Sequence, residues 1–291
     1  MELRNILCPL DFSEFSARAY AYAQSLARHY QTTLFAVHVI QSVFSAYPTY
    51  INPDVVDEVS RGLRSFAAEE LKEFLEKHTQ PGMRMESQIQ EGDITDTILA
   101  LAQAREAELI VMGTHGRRGL DHWLLGSITE KVLRKARCPV LAVHSSLDQS
   151  GAPPSPEVQI RRILFCVDFS AHSDAGLRYA LSLAQEYNAE LTMLHVIEDS
   201  VGAKDPEKVR AEATEKLRGL FGSSGPMGGM VKTHVSIGKP YAEIVRYARE
   251  TAADLIILGV RGRNVLDLAL FGSTTHRVIQ QSSCPVLAVH I

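Results

Sequence analysis

The chain repeats itself, and that repeat limits what it can fold into more than any other feature does. Residues Leu7 to Ile40 align without a gap on Leu164 to Ile197, and about 15 of those 34 positions are identical. The shared residues include Asp11-Phe12-Ser13 with Asp168-Phe169-Ser170 and His38-Val39-Ile40 with His195-Val196-Ile197. A second block, Gly92 to His144, aligns ungapped on Gly238 to His290, pairing Cys138-Pro139-Val140 with Cys284-Pro285-Val286. A period this long is a duplicated domain, not the unit of a solenoid. Two domains are also what 291 residues lead one to expect. The expected division is residues 1–144 for the first, 145–160 for a linker and 161–291 for the second, the segment Ser145 to Ser155 being rich in Ser, Gly and Pro.

Within each copy short apolar runs alternate with longer amphipathic ones, the pattern of a parallel sheet covered by helices. In the first copy strands are expected at Arg4 to Leu10, Thr33 to Ile40, Arg84 to Gln90, Leu109 to Met112 and Pro139 to Val143. Helices are expected at Ser13 to Tyr30, from Asn52-Pro53 to about His78, at Ile94 to Arg105 and at Ser127 to Ala136, with Ser13 and Asn52 as caps. The fold class is therefore α/β: two tandem Rossmann-like or flavodoxin-like domains, each with about five parallel strands. In such open sheets ligands bind beyond the carboxyl ends of the strands, where the strand order reverses. The loops after the first and fourth strands then matter most.

After the fourth strand the first copy reads Gly113-Thr114-His115-Gly116, nine residues, then Gly126-Ser127; the second reads Gly259-Val260-Arg261-Gly262, nine residues, then Gly272-Ser273. Gly113 and Gly116 are expected to turn with positive φ and to let backbone approach a ligand. Gly126-Ser127 opens a helix, where free N–H groups, the helix dipole and a hydroxyl favour phosphate. Asp11, ending the first strand, is expected to point into the same crevice, where it can accept hydrogen bonds from a base or ribose but repels phosphate. Val39 offers backbone groups to the base. A lone aspartate makes a poor Mg²⁺ cage, so phosphates would hold any metal.

The G-x-x-G, nine residues, G-S pattern resembles the nucleotide signature of universal stress proteins. So do PLDFSE (Pro9 to Glu14), HVI (His38 to Ile40) and GSITEKVLRKARCPVLAVH (Gly126 to His144). The resemblance covers nearly the whole chain and occurs twice. It implies an ATP, ADP or AMP site in which Pro9, Leu10, Asp11 and Val39 surround adenosine, while Met112, Gly113, His115, Gly116, Arg117, Gly126, Ser127, Ile128 and Thr129 continue around ribose and phosphates. It implies a second site at Val167, Asp168, Val196, Leu258, Gly259, Arg261, Gly262, Gly272, Ser273, Thr274 and Thr275. The second copy departs where Cys166 replaces Pro9, Arg261 replaces His115 and Asn264-Val265 replaces Arg118-Gly119, so its site is less well defined. The copies are expected to pack as an intrachain pseudo-dimer, and two chains to pair again.

Other classes fit less well. A net charge of −4 gives no basic field for nucleic acid, and no apolar run approaches the roughly 18 residues of a membrane span. The N-terminus lacks a secretory pattern, and the four cysteines, expected one per strand, read as reduced packing residues of a cytoplasmic protein. The eleven histidines show no metal-ligand spacing; His38 and His195 read as packed or edge histidines, and His115 as a ligand contact. Gly219 to Gly229 lacks a Walker ending and reads as a connection; Val43 to Ile51 reads as a surface loop. A stress-response sensor that binds nucleotide is the leading expectation, with no enzyme activity. A slow ATPase and a carrier or scaffold for another small ligand in the second domain stand as alternatives.

Overall fold

In the computed structural model, described for residues 3–42, 53–115, 125–144, 158–198, 206–220, 231–260 and 272–290, the chain divides into two compact units at residues 158 and 159. The expected linker and the segment Val43 to Ile51 lie outside the described residues, apart from the last three linker positions, 158–160. The first copy runs β1 (Asn5–Leu10), α1 (Glu14–His29), β2 (Thr33–Gln41), α2 (Pro53–His78), β3 (Arg84–Gly92), α3 (Ile94–Ala104), β4 (Leu109–Gly113), α4 (Ser127–Lys135) and β5 (Val140–Val143). The second runs β6 (Arg162–Cys166), α5 (Ala171–Tyr187), β7 (Glu190–Ile197), α6 (Pro206–Gly219), β8 (Val231–Ile237), α7 (Pro240–Glu250), β9 (Leu255–Gly259), α8 (Ser273–Gln281) and β10 (Val286–Val289).

Both sheets are parallel, ordered β3-β2-β1-β4-β5 in the first copy and β8-β7-β6-β9-β10 in the second. α1 and α2 pack together on one face of the first sheet, and α3 packs with α4 on the other. Each sheet is thus doubly wound, and its order reverses between the first and fourth strands of its copy. β4, β5 and β10 are buried on both faces: every residue except Gly113 is an aliphatic side chain or Met with little or no exposure. β3, at the edge, does not keep the alternation its sequence suggests; Met85 and Ile89 are only half-buried. Cys138 and Cys284 stand in the turns before β5 and β10 and not on strands, whereas Cys8 and Cys166 lie within β1 and β6. All four thiols are free, and burial pushes each one upward, Cys138 and Cys284 to about 11.

The two cores are filled differently at equivalent positions. In the first copy Cys8 of β1 and Ala19 of α1 are both fully buried. In the second, Phe165 takes the place of Cys8, and Gly176 that of Ala19. A Cβ on Gly176 would lie 2.8 Å from Cε2 of the buried Phe165 ring, so the larger side chain on the strand requires the missing one on the helix. Gly176→Ala should therefore lower the urea midpoint, by about 1–3 kcal/mol of overpacking, despite its better helix propensity. In a Phe165→Cys background the same change should cost markedly less; equal costs in both backgrounds would show that the contact does not limit packing.

Candidate functional site

The first strand of each copy ends in a turn held by its own side chains. Asp11 Oδ1 accepts the Ser13 backbone N–H at 3.1 Å and its hydroxyl at 2.6 Å, and Ser13 Oγ in turn accepts the N–H of Ser16, capping α1. Phe12 between them has φ +64°, a left-handed conformation uncommon outside glycine. Its ring stacks on His38 at 4.4 Å, and His38 Nδ1–H donates to the Leu10 carbonyl at 2.8 Å. Since a carbonyl only accepts, this bond also sets the tautomer when the ring is neutral. The second copy repeats the device: Asp168 accepts from Ser170, Phe169 has φ +59° and packs on His195, and His195 donates to Val167. His38 and His195 are packed histidines, as expected. Asp11 is first of all a turn former, a role that the sequence reading passed over although Asp-x-Ser before a helix is its signal.

The fourth strand brings the other wall. Gly113 does not have positive φ; it is the last residue of β4, and a Cβ there would sit 2.9 Å from both the backbone carbon and Cβ of Phe15 in the first turn of α1. Its glycine is required by packing, which corrects the expectation of a turn. Thr114 O accepts the Gly126 N–H at 2.8 Å, and Thr129 Oγ donates to Gly113 O at 2.8 Å. These bonds bring the two ends of the glycine pattern together, with Met112 and Thr129 buried and Gly126, Ile128 and Ser127 progressively nearer the surface. Gly116, Arg117, Arg118 and Gly119, and in the second copy Arg261, Gly262 and Asn264-Val265, lie outside the described residues. His115 is buried: its ring packs 4.9 Å from Phe15 and its Nδ1 lies 3.0 Å from Thr114 Oγ.

Between these walls the hydrogen-bonded ladder stops short. β1 pairs with β4 only at Ile6–Leu109 and Leu7–Ile110, so Cys8, Pro9 and Leu10 run on beside Val111, Met112 and Gly113 without ladder partners there. In the second copy pairing continues from Ile163–Leu255 to Cys166–Leu258. Val167 N–H goes to Leu194 of β7, so the N–H of Cys166, one residue back, points the other way, towards β9. Pro9 at that position has no N–H to give. On the other side of β1, pairing with β2 ends at Leu10–His38, so Val39 is the first residue of β2 beyond the end of its neighbour. Val196 and Leu258 occupy the matching places in the second copy.

At the mouth of this crevice α4 begins at Ser127 with Gly126 as its cap residue and no side chain on its first-turn N–H groups; α8 begins the same way at Gly272-Ser273, with Thr274 half-buried and Thr275 buried. By contrast α1, α3 and α5 are capped by Ser13, Asp93 and Ser170. α7 also starts without a side-chain cap, with Pro240 in its first turn, but α4 and α8 begin where the glycine patterns end, leaving donors and the positive end of the helix dipole open to an anion there.

A model of the universal stress protein family matches residues 2–144 and again 159–290. The chain belongs to the universal stress protein family. A Mycolicibacterium smegmatis universal stress protein is 26% identical over 98% of this chain and 96% of its own length. One from Methanocaldococcus jannaschii is 32% identical over 48% of the chain and 81% of its own length. Among solved structures, a universal stress protein from Archaeoglobus fulgidus superposes with a TM-score of 0.74 at 24% identity, covering 100% of this chain and 99% of that one, which shows a common fold.

Two outcomes follow from the geometry of this universal stress protein. Gly113→Ala should destabilise the first domain with no ligand present, because the added Cβ meets the backbone of Phe15; the measurement is the urea midpoint of the nucleotide-free chain, expected to fall by about 1–3 kcal/mol. Burial, and secondarily His115, pulls His144 from 6.5 down to about 4. An unfolded His144 therefore takes up its proton at a higher pH than the folded one. Stability from this group is complete above about pH 6.5 and is lost as pH falls towards 4. His144→Gln should flatten that acid limb in thermal melts followed by circular dichroism.

Proposed function

We propose that this universal stress protein binds an adenine nucleotide, ATP or its di- or monophosphate, at the crevice of the first domain and acts as a nucleotide-dependent binding module rather than an enzyme. The observation that carries the reading is the uncapped start of α4 beside the unladdered end of β1: the N–H groups of Ser127, Ile128 and Thr129 offer a phosphate seat at the switch point. The base would lie towards Pro9, Leu10, Asp11 and Val39, away from that positive end, with the Asp11 carboxylate serving the sugar or base side. Mg²⁺ would ride on the phosphates, since no group of three or more His, Cys, Asp or Glu side chains suited to a metal occurs among the described residues. The second crevice has the same uncapped helix, α8, but its strands stay paired through Cys166, so a weaker or different ligand is expected there.

Ser127→Asp separates binding from folding. Ser127 is exposed, and a carboxylate in the first turn suits the helix dipole, so the fold should be kept or slightly stabilised. The same carboxylate repels phosphate. Calorimetry with ATP and with adenosine should show ATP affinity falling by more than about tenfold, adenosine unchanged, and Ser273→Asp acting only on the weaker site. Unaltered ATP affinity in both variants would remove the phosphate seat from α4 and α8. Phosphate release by the wild-type chain at a rate of steady turnover would instead favour the ATPase reading.

A further inference from the structure

All the large hydrophobic side chains that stand exposed among the described residues lie on one helix and on one side of it. They are Val55, Val59, Leu63 and Phe66 of α2, with Phe66 the most open at 58% exposure. Their spacing of four, four and three residues draws a single stripe along about three turns, roughly 17 Å. The core-facing residues of the same helix, Val56, Ala67, Leu71 and Phe74, form a separate row that is buried on the sheet. The stripe is therefore additional to what the fold needs.

The helix is held firmly at its other end. Gln24 of α1 donates to the carbonyl of His78 at 2.9 Å and accepts the N–H of Gln80 at 2.7 Å, while Tyr20 and Thr79 share a hydrogen bond at 2.8 Å. α2 thus presents its N-terminal half from a fixed base. The second copy has no counterpart: α6 has 14 residues against 26 in α2, and Leu181 stands where Gln24 does. The stripe and its support belong to the first domain alone.

Charge selects the occupant. Glu58 and Glu69 each follow a stripe residue by three positions, Val55 and Phe66, and so flank the same side; Glu73 continues that line. None of the three carboxylates forms a salt bridge among the described residues. The basic residues of this half are directed elsewhere, Arg64 to Glu91 of β3 and Arg61 to the carbonyl of Asp57. Gly62, within the flank, has nothing within 4 Å of where a Cβ would be, which leaves that side low enough for a close approach. A second copy of this chain would bring the same unneutralised acids to the interface. An anionic membrane would be repelled by them.

We propose that the exposed face of α2 docks a basic amphipathic segment of a partner protein, with apolar anchors at helical spacing lying on Val59, Leu63 and Phe66 and Lys or Arg side chains meeting Glu58 and Glu69. The proposal does not depend on the nucleotide reading.

The test is fluorescence anisotropy with the full chain and a labelled amphipathic Leu/Lys peptide of about 18 residues, roughly five helical turns. The wild-type chain should bind it, more weakly as salt rises, and should bind a Leu/Glu peptide of the same apolar pattern at least about tenfold less well. Leu63→Ser with Phe66→Ser should reduce binding of the Leu/Lys peptide by about tenfold or more. Glu58→Lys with Glu69→Lys, confined to exposed positions, should do the same and gives an independent reading if the apolar pair lowers the melting temperature. Absent binding by the wild type, equal binding by both double variants, or equal affinity for the two peptides overturns the proposal. A concentration-dependent dimer in sedimentation that Phe66→Ser abolishes also overturns it, by making α2 a contact between copies.

Discussion

The approach of Gly113 to the first turn of α1 is the contact on which the first domain's site depends. α1 starts directly after β1 and must cross back over the sheet beside β4, so the end of β4 and the start of α1 compete for the same space. Removing one Cβ settles the competition at 2.9 Å from Phe15. Once the strand end is seated there, Gly113 O can accept from Thr129 and Thr114 O from Gly126, and these bonds place the start of α4 over the switch point. The glycine therefore shapes a ligand site without lining it through any special φ. Its effect passes through backbone packing, which is why a small change at it is expected to alter folding before it alters affinity.

The opposite wall is built by different means. Asp11, Ser13 and the left-handed Phe12 form a closed unit that ends β1 abruptly, and His38 fastens the unit to β2 through Leu10. A left-handed phenylalanine is strained relative to glycine, and two aromatic contacts, stacked on His38 and tilted against Phe74, supply compensating contact. That both copies keep the turn and the His contact shows that this wall is architecture common to the pair. What differs is the ladder beside it, where a single residue, Pro9 or Cys166, decides whether a backbone donor reaches the next strand.

Most of the element pattern was legible in the residues. The apolar runs of β4 and β5 and the Ser13 cap place those elements within a residue or two of where they lie, because burial on both faces and local capping are near-sequence effects. The parallel order and its reversal followed from alternation of strand and helix. The role of Gly113 was not legible. A G-T-H-G string looks the same whether its first glycine turns or packs, and only the distance to Phe15, about a hundred positions away in sequence, distinguishes them. Nor could composition show that β3, an edge strand, would leave its apolar residues half-open.

The duplication makes each copy a control for the other, and their differences fall into two kinds. Some are compensated within the core: Phe165 with Gly176 replaces Cys8 with Ala19, and the strand order is the same in both copies. In such an exchange the side chain lost from the helix makes room for the ring gained on the strand. Others are uncompensated. Pro9 removes a ladder donor with nothing to replace it, and α2 adds an apolar stripe with nothing among the described residues to cover it. A duplicated domain can keep a costly local feature only where something outside the core offsets the cost. Both uncompensated features are in the first domain, one at its crevice and one on its outer helix. The second copy, by contrast, keeps the more fully paired sheet.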